Sequence, residues 1–186
     1  MEINERSLKG VYEIQLAPKE DARGFFMRTY DMNLFANLGI HQDWVQENHS
    51  YSKYKGTIRG LHFQFPPFSE TKLIRCIHGT ILDVFVDLRS GSETFGKWDS
   101  IELSAENRKS IFIPRGFAHG FCSLTDDCEI LYKVDNFYSS ESESGLLWND
   151  PAIGINWPVK NPTISEKDKN NLTLSQFIMT HNALKI

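Results

Sequence analysis

The sequence predicts an all-β protein, a two-sheet sandwich or jelly roll with a few short helices at its edges. Two observations carry this. Apolar residues recur with period two along one segment after another, and each segment is short and bounded by Gly, Pro, Asn, Asp or Ser. Many short strands spaced in this way, with no long helical pattern between them, build packed antiparallel sheets.

The elements follow in chain order. A short helix is expected over Tyr30–Leu38, with Gly39 as its stop. From Lys72 to Arg89 the run KLIRCIHGTILDVFVDLR reads as two β segments broken at the turn dipeptide His78–Gly79. In the second segment Ile81, Asp83, Phe85 and Asp87 share one face, and Leu82, Val84, Val86 and Leu88 share the other. Further strands are expected at Trp98–Leu103, Ser110–Ile113, Ala118–Ser123 and Glu129–Val134. Turn signals at Arg89–Ser92, Ala105–Arg108, Pro114–Gly116 and Thr125–Asp127 separate them. A last short helix is expected at Ser165–Asn171, with Ser165 as N-cap. No repeat, charge block or low-complexity linker divides the chain, so residues 1–186 are expected to form one domain.

Composition narrows the function classes. A chain of 186 residues with a 40% apolar share can bury a core without disulfides or a structural metal. A net charge of -4 gives no basic field for nucleic acid or a membrane surface. A phosphate-bearing ligand would have to meet a few positioned Arg and Lys side chains. Cys76, Cys122 and Cys128 are odd in number and form no C-x-x-C pair, which favours free thiols in a reducing compartment. The start MEINERSLKG lacks the apolar run of a signal peptide, and no stretch approaches the ~20 apolar residues of a membrane span. The cytoplasm is the expected location.

Six segments hold residues suited to chemistry: DARGFF (21–26), QENHS (46–50), RGLHFQ (59–64), PRGFAHGF (114–121), YKVDNFY (132–138) and SEKD (165–168). Singly, each has an ordinary structural reading: turn arginines, a core histidine, rim tyrosines, a solvated aspartate. Their joint presence on one sandwich scaffold is what points to a site. PRGFAHG has the look of the second half of a cupin metal motif. The first half should supply H-x-H and a nearby glutamate, but the chain has His62–Phe63–Gln64, with Glu70 further on, so no metal is expected. No nucleophile elbow and no activated cysteine is present. No G-x-G-x-x-G follows a strand, so no dinucleotide cofactor is expected either.

In this order and spacing, the segments resemble the dTDP-4-dehydrorhamnose 3,5-epimerase family. The likeness runs from about Leu8 to about Asp168. It includes DARGFF, QENHSYS, GTIRGLHFQFPP, KLIRCIHGTILDVFVDLR, SETFGKW, LSAENRKSIFIPRGFAHGF, LLWNDPAIGINWP and ISEKD. The resemblance implies a cupin-like jelly roll without a required metal, usually a homodimer that exchanges N-terminal strands. Its substrate would be a 4-keto-6-deoxyhexose carried on a nucleoside diphosphate, used in deoxysugar and surface-polysaccharide synthesis. It implies further that His62 is the base that removes a proton beside the ketone, since imidazole titrates near working pH. Asp168 would orient His62, Lys72 would stabilise the enolate, and Tyr132 would return the proton from the other face, its phenol brought into range by a nearby cation and a dry pocket. Substrate binding would fall to Arg23 and Arg59 on the diphosphate, Tyr138 near the nucleoside, and His119 on the sugar. Gln46, Glu47, Asn48, Glu143 and Lys167 would add contacts, and in an exchanged dimer Arg23 would serve the neighbouring subunit.

The chain departs from the family pattern at two places. Arg28 stands where the family commonly has a base-contacting glutamate, and Ser144 stands where arginine is common. Thymidine remains the expected nucleoside, and a cytidine-linked 4-keto sugar is the second candidate. The functions that compete with inversion at two carbons are inversion at one, migration of the ketone, and sugar-nucleotide binding without catalysis.

Overall fold

Period-two alternation becomes two stacked antiparallel sheets in the computed structural model, which describes residues 1–186. The larger sheet runs β1 (Glu2–Glu5), β2 (Tyr12–Gln15), β10 (Lys109–Ile113), β7 (Lys72–His78), β12 (Cys128–Val134), β5 (Gln46–Ser52). The smaller runs β13 (Glu143–Gly145), β6 (Ile58–Gln64), β11 (Phe117–Ser123), β8 (Thr80–Asp87), β9 (Trp98–Ser104). A separate hairpin joins β3 (Lys19–Asp21) to β4 (Gly24–Phe26). Neighbours in space are rarely neighbours in sequence, as in a jelly roll. No helix is long and apolar enough to cross a membrane.

The sheets close over a core of inward residues, among them Ile74, Ile81, Phe85, Leu103, Ile111 and Phe121. Strand β8 is buried on both faces: Ile81 and Phe85 meet this core, while Val84 and Val86, with Leu88 just past the strand, meet a second cluster behind the smaller sheet. The second cluster is supplied by the C-terminal segment. Its helix α3 (Leu174–His181) buries Leu174 and Phe177, and Leu184 follows it down. Full burial of a phenylalanine such as Phe177 stabilises by about 1.5–3 kcal/mol. Buried Asp150 anchors the start of α3, accepting from the Leu174 N–H at 2.6 Å.

The other helices are shorter than the sequence suggested. Helix α1 covers Met32–Ala36, capped by Asp31, whose side chain accepts from the Asn33 N–H. Helix α2 covers Glu166–Lys169, with Ser165 as its N-cap.

One backbone detail sets up the functional site. A Cβ on Gly60 would lie 2.6 Å from the Gly120 Cα, and one on Gly120 would lie 2.6 Å from the Arg59 carbonyl oxygen. Only paired glycines let β6 and β11 approach this closely, and Gly60 also takes φ +112°. The register shifts between His119 and Phe121, and His119 comes to lie directly opposite His62.

Candidate active site

A cavity of about 500 Å³ lies between the sheets, within the range of small-molecule sites. The smaller sheet contributes Arg59 and His62 from β6 and His119 from β11. The larger contributes Lys72 from β7 and Tyr132 from β12, and α2 adds Lys167 and Asp168. An adjoining cavity of about 370 Å³ shares His62, Lys72 and Tyr132 and adds Gln46, Asn48, Tyr138 and Glu143.

His62 is joined to Asp168 through Nε2 and Oδ1 at 2.6 Å. Asp168 is buried, and its other oxygen accepts from the Gly60 N–H at 3.3 Å. Burial works to raise this carboxyl, but the bond and charge of His62, with help from Gly60 and Ser165, leave it below the ordinary aspartate range. The carboxylate form is therefore the stable one. With Nε2–H donated to it, Nδ1 of His62 keeps the lone pair that a base requires. The segment bearing Asp168 is tied at both ends. Thr163 exchanges backbone bonds with Gly56 and Ile58, and Leu172 does so with Gly145 and Leu147.

A second pair faces the first. His119 Nε2 meets Asp83 Oδ2 at 2.8 Å, and Asp83 is fully buried with its Oδ1 lacking a partner. Burial pushes the Asp83 carboxyl up, against the lowering pull of His119 and Lys72. On the larger sheet, Lys72 is ion-paired with Glu70, both side chains being nearly buried. Its ammonium lies 5.8 Å from the centroid of the Tyr132 ring.

These groups, two oriented imidazoles, an ammonium and a phenol around one cavity, can exchange protons with a ligand from two sides. A sequence model of the dTDP-4-dehydrorhamnose 3,5-epimerase family matches residues 5–176. The chain belongs to that family.

A dTDP-4-dehydrorhamnose 3,5-epimerase of Shigella flexneri is 51% identical over 151 residues, 81% of this chain and 83% of that protein. The crystal structure of the Bacillus anthracis 3,5-epimerase with TDP and PPi bound superposes with a TM-score of 0.91 at 43% identity, covering 93% of this chain and 99% of that one. The Legionella pneumophila dTDP-6-deoxy-D-glucose-3,5-epimerase, in complex with dTDP-4-keto-L-rhamnose, gives 0.91 at 35% identity, covering 99% and 97%. Family membership makes the chain an isomerase acting on a carbohydrate and its fold a cupin-like jelly roll.

The epimerase fold gathers most of the expected residues. Arg59 is braced by the Ser52 hydroxyl at 3.2 Å and the Tyr51 carbonyl at 2.8 Å. At the rim, Glu143 accepts from Lys167 at 2.5 Å and from the Tyr138 hydroxyl at 2.8 Å. Gln46 accepts from the Tyr138 N–H at 2.9 Å. Three expected residues do not line the cleft of their own chain. Glu47 pairs with Lys133 at 2.9 Å and lines a different cavity, because alternation along β5 sends it to the face opposite Gln46 and Asn48. Arg28 pairs with Asp31 at 2.7 Å, and Arg23 projects from the exposed hairpin turn, paired with Asp21. The Tyr132 phenol also differs from expectation. Burial raises it first, then Glu70 and Glu143, with only Arg59 pulling it down.

No three His, Cys, Asp or Glu side chains converge as a ligand set. Gln64, where a cupin metal site would want histidine, has its amide committed to the Phe68 carbonyl at 2.9 Å and the Ser139 N–H at 2.6 Å. Asp83 and Glu70 were not among the residues expected to act here. An acid on the apolar inner face of β8 was the signal for Asp83. Spacing two residues before Lys72 was the signal for Glu70.

Proposed function

We propose that this chain inverts carbons 3 and 5 of dTDP-4-dehydro-6-deoxy-D-glucose to give dTDP-4-dehydro-L-rhamnose, with His62 as base and Tyr132 as acid. The observation that carries the reading is their placement: His62 projects from the smaller sheet and Tyr132 from the larger, into one cavity. A planar enolate between them meets a base on one face and a proton donor on the other, which inversion requires. His62 Nδ1 takes the proton from the carbon beside the ketone, and the imidazolium is held by Asp168. The electron pair moves to the carbonyl oxygen, where Lys72 offsets the charge. Tyr132 then protonates the carbon from the opposite side. Arg59 and Lys167 meet the diphosphate, His119 the sugar, and Gln46, Asn48, Tyr138 and Glu143 the nucleoside end.

Solvent deuterium tests this. In heavy water, NMR of dTDP-4-keto-6-deoxyglucose incubated with the enzyme is expected to show deuterium at carbons 3 and 5. Deuterium at one carbon would make it a mono-epimerase. No exchange with this substrate, and exchange with the cytidine-linked sugar, would assign the Arg28 change to a different nucleoside.

The same reading includes a cytoplasmic homodimer. The three cysteines are free and buried, consistent with a reducing compartment. The β3–β4 hairpin holds Phe25 and Phe26 in water at 57% and 68% exposure, and carries Arg23 outside its own cleft. Exchange of hairpins between two copies would cover both rings and bring Arg23 to the partner's diphosphate. Sedimentation equilibrium is expected to give twice the chain mass, and deletion of the hairpin to give the monomer. A wild-type monomer would overturn the dimer.

A further inference from the structure

Glu70 stands in the connection between β6 and β7, a loop that is unusually well pinned. Buried Gln64 donates to Glu70 Oε2 at 3.1 Å, and to the Phe68 and Phe137 carbonyls at 2.9 and 3.2 Å. The Ser69 hydroxyl bonds the Gln64 carbonyl at 2.9 Å, Asn136 reaches the Ser69 carbonyl at 3.2 Å, and the Thr71 N–H meets Asp135 at 2.6 Å. The carboxylate is thus fixed before any ligand arrives. It faces the adjoining cavity beside Tyr132 and grips Lys72, whose ammonium overlooks the Tyr132 ring.

We infer that Glu70 is a positioning residue of the reaction, holding Lys72 in place and balancing its charge so that Tyr132 stays protonated until an enolate forms. This rests on the reading of Tyr132 as acid. An ammonium next to a phenol favours the phenolate, and a phenolate has no proton to give. Pairing with Glu70 removes that pull in the resting site. An enolate forming beside Lys72 supplies the base: its carbon takes the phenol proton, and the Tyr132 phenolate left behind is held by the neighbouring Lys72 ammonium. Around the phenol the balance is set by Glu70, Glu143 and Asp83 on one side and Lys72, Arg59 and Lys167 on the other, with His62 and His119 in the same cavity.

Glu70→Gln tests this, since glutamine keeps the shape and can still bond Gln64 while losing the charge. Ultraviolet titration of tyrosinate, with Tyr132→Phe subtracted to isolate the one phenol, reads the effect without turnover. The ionisation step of Tyr132 and the alkaline limb of kcat are both expected to move to lower pH, by about half a unit or more, with KM within about twofold. A variant in which neither moves would overturn the inference. If the Tyr132 step moves while Tyr132→Phe itself still inverts substrate at the wild-type rate, the coupling of Glu70 to the phenol stands and the acid assignment falls.

Discussion

His62→Ala is expected to lower kcat for epimerisation by roughly 10³-fold or more, while dTDP binds within a few-fold of wild type. The carbon acid beside a ketone is weak, and water at neutral pH is a poor base for it. A positioned general base contributes about 10²–10⁴-fold, and in the proposed mechanism the same base serves two carbons in succession. His62 is set up by Asp168, which accepts a hydrogen bond from Nε2–H and leaves the Nδ1 lone pair free toward the cavity. Asp168→Asn should therefore reproduce much of the loss, because an amide neither fixes that tautomer nor steadies the imidazolium. Binding should survive because Arg59 and Lys167, the proposed diphosphate contacts, stand on their own supports. Steady-state kinetics and calorimetry with dTDP separate the two effects. Activity within tenfold of wild type would move the base to His119, the other imidazole with its own buried carboxylate.

The contrast between these two histidines marks how far the sequence could be read. From Lys72 to Val134 the strands were legible because their inner positions are apolar, so burial wrote itself as alternation. Strand β5 was not legible as a strand. Its inner positions Gln46, Asn48 and Ser50 face the cavities rather than the core, and Ser52 braces Arg59, so both faces read as polar. Helix α3 was missed for another reason. Its capping box, Thr173 with Gln176, is plain in the sequence, but eight residues near a chain end give little periodicity to weigh. Only the packed fold reveals that this helix seals the back of the smaller sheet.

Pairings across the chain were the least legible. His62 and Asp168 are 106 residues apart and were joined only through the family resemblance. Asp83 and Glu70 had no such resemblance to draw on. Each left only a faint local signal, and its place beside the cavity is recognised once the chain folds and Asp83 meets His119 while Glu70 meets Lys72. The same stacking removes Glu47 from the cleft, since one step along a strand reverses the face.

Tyr132→Phe is the variant that tests inversion itself, and it should split two events that wild type performs together. In the proposed mechanism the base remains, so His62 can still remove the proton and Lys72 can still hold the enolate. What disappears is the donor on the opposite face. The enolate can then be reprotonated only from the His62 side, which restores the original configuration. Formation of the L-sugar is expected to fall by about 10²–10⁴-fold, while solvent deuterium continues to enter with retention. Phenylalanine keeps the ring against the Lys72 ammonium and the neighbouring core, so the fold and the cleft's shape should hold. NMR in heavy water reads both quantities in one sample, exchange from loss of the proton signal and inversion from the ring couplings. Exchange and inversion lost in equal measure would mean that the phenol serves proton removal as well. Inversion at the wild-type rate would place the acid elsewhere in the cavity. Exchange without inversion would establish that base and acid are separate groups on separate sheets, so that the stereochemical outcome is a property of how the jelly roll closes.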